Sequence, residues 1–107
     1  MESKKPRAPR ELLVAEAEIF DQQTSQTIPG KTSNLSIGGC FVEAAEVLPT
    51  RSVVQVKLSY NEESISLFGD VVRSEAGKGV AIRFRALDAN QTSMIKAWFF
   101  SLDRQGW

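Results

Sequence analysis

The groups best equipped for chemistry in this sequence are an amide, a hydroxyl and a glycine in the run Asn34-x-Ser36-x-x-Gly39, and three cations near the start, Lys5, Arg7 and Arg10. Their types suit binding rather than bond breaking. Short Asn and Ser side chains hydrogen-bond nearby backbone and so favour a turn, and glycine lets a ligand approach the main chain closely. Guanidinium groups on an extendable arm can swing onto an anion, with a planar fork of donors that matches it. By residue type alone the turn can be simply a turn and the arm a solvated terminus, or the arm can swing its guanidinium groups onto an anionic ligand.

Composition removes most alternatives. A chain of 107 residues with 42% hydrophobic and 24% charged residues has the balance of one globular domain. It contains no histidine and a single cysteine, Cys40. A zinc or haem site made of protein ligands therefore has almost no material, and triads with a histidine base have none. The carboxylates are scattered without a pair spaced as acid and base, so no enzyme activity and no cofactor are expected. Thirteen Lys and Arg balance thirteen Asp and Glu. No net field draws the chain to a nucleic acid polymer or to a membrane, and an OB-like barrel for single strands would need a basic groove lined with aromatics. No apolar run reaches the length of about 18 residues that spans a bilayer, and Pro6 follows the polar start where a signal peptide would turn apolar. A lone cysteine, read as a small core residue, fits a reducing compartment, and a cytoplasmic protein is expected.

The elements that must position these groups are mostly strands. Residues 1–11, with Pro6, Pro9 and four cations, read as a flexible basic arm, and 12–107 as the folded domain. From Leu12 to Phe20, Ala15, Ala17 and Ile19 alternate against Glu16 and Glu18; a helix is possible on propensity, but the period of two favours a strand. A polar turn over Asp21–Gln26 precedes a short strand over Thr27–Thr32, whose Pro29 and Gly30 belong on an edge or at a bulge. Asn34 to Gly38 then forms the turn, Gly39–Glu43 a third strand, and Ala44–Ser52 a loop. Val54, Val56, Leu58 and Tyr60 share one face of a half-buried strand. A turn at Asn61-Glu62-Glu63 leads to a strand over Ser64–Ser74, with Ile65, Leu67 and Val71 inward, Ser66, Asp70 and Ser74 outward, and a bend or bulge at Gly69. After a second turn at Glu75–Lys78, Val80, Ile82 and Phe84 point inward and Arg83 outward. The period then changes: Met94, Ile95, Trp98, Phe99 and Leu102 form one helical stripe, and Asp88 with Gln91 supplies a capping box. Phe100 lies off that stripe and, with Trp107, is a candidate contact residue. Five or six antiparallel strands and a C-terminal helix closing one mouth make a small barrel.

In this order, the arm, the Asn34 turn, the late hairpin from Phe68 to Phe84 and the Asp88 helix resemble the PilZ domain family, along nearly the whole chain. The resemblance implies a six-stranded antiparallel β-barrel with a C-terminal α-helix. It further implies a bacterial second messenger receptor in which cyclic di-GMP is held by Arg7, Arg10, Asn34, Ser36 and Gly39, with Lys5 as a secondary candidate. Asn34 would bond a guanine edge, Ser36 guanine or phosphate, and Gly39 would leave space for the ligand. Signalling would pass to an unidentified protein effector, from a monomer or weak dimer. One departure stands out. The family's paired arginines have the spacing RxxxR, whereas four residues before Arg10 stands Pro6 and four after Arg7 stands Glu11. Lys5 or Arg7 would have to take the missing position. The family also contains PilZ-like adaptors that bind no ligand and act by protein contact in motility or pilus regulation, which is the second reading of this chain.

Overall fold

The computed structural model describes residues 13–105, and the side chains of 13–100. Six strands, β1 (Glu16–Asp21), β2 (Gln26–Leu35), β3 (Gly39–Glu43), β4 (Val53–Tyr60), β5 (Glu63–Glu75) and β6 (Gly79–Phe84), precede one helix, α1 (Ala89–Gln105). The strands close into a barrel in the order β1-β2-β3-β6-β5-β4, every neighbouring pair antiparallel. The six-stranded antiparallel barrel with a C-terminal helix is the expected fold class. The division at residue 11, and the arm with Lys5, Arg7 and Arg10, lie outside the described residues, as does Trp107.

Alternation decides the strands. In β1, Ala17 and Ile19 are buried while Glu16 and Glu18 face water, so the helix that propensity allows is overridden by the gain from placing one face in a core. Inward residues from every strand, among them Ile28, Leu35, Val42, Val56, Leu67 and Ile82, form a single cluster. Pro29 sits where a strand tolerates it. It pairs with Glu18 of β1, but β3 ends at Glu43 opposite Lys31, so no strand flanks Pro29 on its other side. The β4–β5 hairpin turns on Asn61 and Glu62 alone, with φ of 53° and 67°. Two residues of positive φ are the type I′ arrangement that follows strand twist, so Glu63 belongs to β5 rather than to the turn.

Two strands break step, and neither does so where glycine suggests it. In β2 the register shifts between Thr32 and Asn34, and in β5 between Val71 and Arg73. The bulge expected at Gly69 thus falls further along the strand. Gly69 itself is in register with both Val54 and Phe84, and a Cβ there would overlap the Ile82 side chain and the Arg83 carbonyl. Its role is close packing. Ser74, expected to face outward, is turned by the bulge to the side of its buried partner Val80. There its Oγ accepts a 2.9 Å hydrogen bond from the Leu48 amide.

Beyond Asp70, where β4 ends its pairing with β5, the preceding loop takes over: Arg51 N donates to Val71 O (2.7 Å) and Val71 N to Ser52 O (2.9 Å). At the other end α1 packs its Ile95 and Trp98 into the core, with Met94 and Phe99 half-buried beside them. Trp98 Nε1 donates to Glu63 Oε1 (2.8 Å), and its ring lies 5.5 Å from that of Tyr60. No helix among the described residues is long and apolar enough to cross a membrane.

The helix start is the expected capping box. Gln91 N donates to Asp88 Oδ1 (2.7 Å) and Asp88 N to Gln91 Oε1 (2.8 Å), while Gln91 Nε2 reaches the Ser66 carbonyl on β5 (2.8 Å). Asp88→Ala should therefore cost about 1 kcal/mol, read as a lower urea midpoint at unchanged slope by tryptophan fluorescence. An unaltered midpoint would show that the cap adds nothing to the packing of Ile95 and Trp98.

Candidate functional site

The two bulges act on the same patch of surface. Thr32 faces inward, so strict alternation would bury Asn34 and expose Leu35; the irregularity reverses both, and Leu35 is buried while Asn34 is exposed. In β5 the corresponding shift turns Arg73 outward. Asn34 then pairs with Phe41, Phe41 with Ala81, and Ala81 with Arg73. One row of outward side chains crosses four strands from an amide to a guanidinium. The adjacent row runs Gly39, Arg83, Asp70. Between these rows and the β2–β3 turn lies an open hollow of about 320 Å³, lined by Asn34, Ser36, Gly38, Gly39, Phe41, Arg73, Ala81 and Arg83.

The turn is held by its own groups. Ser36 N donates to Gly39 O (2.9 Å), the Ser36 hydroxyl donates to the same carbonyl (3.3 Å), and Gly38 N donates to Ser36 Oγ (3.2 Å). Phe84 N donates to Gly38 O (2.9 Å), which ties the turn to the end of β6. Ser36 thus shapes the turn, through bonds long enough to be exchanged for others. Gly39 has a further reason to be glycine: a Cβ there would overlap the Ile82 carbonyl oxygen. Asn34 belongs to β2 rather than to the turn.

Charge around the hollow is unevenly compensated. Arg85 grips Asp70 with two bonds, Nη2 to Oδ1 at 2.8 Å and Nε to Oδ2 at 3.1 Å. That hydrogen bonding, with the charges of Arg85 and Arg83 adding to it, holds the Asp70 carboxyl below the usual carboxylate range. Arg73 makes an exposed contact with Glu75 (3.2 Å), and Glu75 also meets Lys78 (3.7 Å); such surface pairs are weak and readily exchanged. The Arg83 guanidinium makes no hydrogen bond or ion pair among the described residues. The hollow offers an amide, a hydroxyl and two guanidinium groups, and Asp70, beside Arg83 in the adjacent row, is already engaged by Arg85. No group of three or more His, Cys, Asp or Glu able to hold a metal exists among the described residues.

Asn34, Ser36 and Gly39 are therefore brought together, while Lys5, Arg7 and Arg10 lie outside the described residues. Phe41, Arg73 and Arg83 escaped the sequence reading as members of the site. Arg83 was legible as an outward residue, but nothing local signals that a bulge sends Arg73 to the same face.

The family model for the PilZ domain matches residues 4–101. The chain belongs to the PilZ domain family. The match takes in Lys5, Arg7 and Arg10 as well as the barrel and most of the helix. Among solved structures, the PilZ domain of CeSA from a cellulose-synthesizing bacterium is similar over 85% of this chain and 94% of that one, with a TM-score of 0.67 and 22% identity. A likeness at that identity speaks for the fold. A comparison with curated proteins returned no significant match. PilZ domains are in general cyclic di-GMP receptors, binding or adaptor modules rather than catalysts.

Behind the hollow of this PilZ domain lies Cys40, whose thiol is buried and pushed up from 9.0 to about 12 by that burial. The folded chain favours the neutral thiol, so this contribution to stability is whole below pH 9.0 and declines as pH rises from there towards about 12. At about pH 8 the native protein should react with an aromatic disulfide reagent only as fast as it opens. Rapid native-state labelling, unchanged by mild denaturant, would place the thiol at the surface.

Proposed function

We propose that this PilZ domain is a non-catalytic cyclic di-GMP receptor of the bacterial cytoplasm. The dinucleotide lies in the Asn34–Ser36–Gly39 hollow and is covered by Arg7 and Arg10, with Lys5 in reserve. The observation that carries the reading is the convergence of Asn34, Ser36, Arg73 and Arg83 on one open hollow. Cyclic di-GMP has two negative phosphates and two guanines with paired acceptors at O6 and N7. Guanidinium forks match both, and an amide and a hydroxyl add neutral hydrogen bonds.

Closure of the arm is the switch in this proposal. Ordering it costs about 1 to 2 kcal/mol of backbone entropy per residue, so only the messenger's charges fix it, and the covered surface becomes the one that a protein effector engages or releases. The domain acts as a monomer or weak dimer. A ligand-free adaptor in motility or pilus regulation is the second reading, favoured by Pro6 where the family's first arginine would stand.

Calorimetric titration with cyclic di-GMP tests the choice. The wild type should bind at micromolar concentration or tighter. Arg10→Ala and Ser36→Ala should each weaken binding; for the arginine the loss is roughly ten- to hundredfold, the value of one charged hydrogen bond. No heat and no thermal stabilisation at high ligand concentration would overturn the receptor and leave the adaptor.

A further inference from the structure

A second hollow, larger than the first at about 520 Å³, opens between the turn at residues 49–52 and the outer face of β5 and β6. Thr50, Arg51, Val72 and Arg83 line it. The turn that carries Arg51 is firmly held. Besides the two main-chain bonds to Val71, the Ser52 hydroxyl donates to Pro49 O at 2.6 Å. Arg51 sits at φ 71°, in the left-handed region that a long side chain enters only when its surroundings impose it.

The charge pattern is the unusual part. The guanidinium groups of Arg51 and Arg83 make no hydrogen bond or ion pair among the described residues. The carboxylate that lines this hollow, Asp70, is gripped by Arg85 through both oxygens. Two guanidinium groups without a bonded partner share this concavity with a carboxylate whose oxygens are both taken by Arg85, and an anion placed between them is attracted to both.

We propose that this hollow is a second oxyanion site, separate from the Asn34 hollow, that takes a phosphate monoester. At neutral pH such a group is close to a dianion with three acceptor oxygens. Two guanidinium forks match that charge and geometry better than they match a single carboxylate. Thr50 adds a hydroxyl to the same lining, and Val72, 43% exposed, offers an apolar floor to the organic part of the ester. Arg83 lines both hollows, so occupation of one changes the charge felt in the other.

Backbone and arginine side-chain NMR signals of the full chain, followed while inorganic phosphate and, separately, phenyl phosphate are added, test the site. Saturable shifts centred on Thr50, Arg51 and Val72 are expected, with phenyl phosphate binding more tightly than phosphate. Arg51→Ala should weaken both ligands about tenfold or more, while Arg73→Ala leaves them unchanged and Val72→Ser removes the preference for the phenyl ester. Shifts that fail to saturate by about 50 mM, that persist in Arg51→Ala, or that centre on Ser36 and Gly39 would each overturn the site. Cyclic di-GMP titrated into the same wild-type sample separates the two readings. Absence of dinucleotide binding strikes the receptor and leaves the phosphate result standing, and the converse holds equally.

Discussion

In a closed six-stranded barrel each side chain has one of two fates, and a shift of a single residue exchanges them. This parity is the constraint on which the rest of the molecule depends. Its interior admits apolar groups almost alone, as the uniform burial of Ile19, Leu35, Val56 and Leu67 shows. Any group that is to meet a ligand must be sent outward without exposing its apolar neighbours. Strict alternation along β2 and β5 would bury an amide and a guanidinium. The irregularities after Thr32 and Val71 avoid that, at the cost of a locally broken ladder, and they set Asn34 and Arg73 at the two ends of one outward row.

Much of this architecture is legible in the sequence because it rests on local pattern. The alternation of Ala17 and Ile19 with Glu16 and Glu18, the limits of β3 and the Asp88–Gln91 cap all follow from spacing that survives into the structure. The bulges are another matter. Gly69 is the residue that attracts suspicion, because glycine permits what other residues resist, yet it is demanded by the Ile82 side chain across the sheet, while the bulge falls beside Val72. A bulge is decided by where two strands must stay in register, a relation between distant segments that no window along one of them contains. Half of the candidate site is hidden from the sequence for that reason: Asn34, Ser36 and Gly39 stand in one short run, whereas Phe41, Arg73 and Arg83 join them only through pairing.

Electrostatics sorts the arginines in the same non-local way. By register, Asp70 faces Arg83 across the β5–β6 pair, and a reading of neighbours would couple those two. Arg85 wins instead, because its fork meets both oxygens of Asp70 at hydrogen-bond distance, and two aligned charged bonds outweigh proximity. The consequence is functional rather than stabilising. An exposed pair adds little to the fold, but by occupying both oxygens of the carboxylate it leaves the Arg83 guanidinium without a bonded partner among the described residues, between two hollows.

That arrangement bears on the departure at Pro6. If the arm were the sole source of positive charge, losing one arginine from its spacing would remove half of the guanidinium groups that meet the messenger. On the receptor reading it is not the sole source, since Arg73 and Arg83 stand on strands whose positions are fixed by the barrel and need no ordering when a ligand arrives. Charges on a rigid surface act on an anion without the entropy that an arm must lose. On that reading the arm adds its charged bonds to charge already in place and also excludes water, and exclusion strengthens every charged contact beneath it by lowering the local dielectric. A cover is less exacting about spacing than a bidentate clamp. On the receptor reading, the distance from Arg7 to Arg10, too short for the family pattern, therefore weakens the arm's second charged contact more than it weakens the cover.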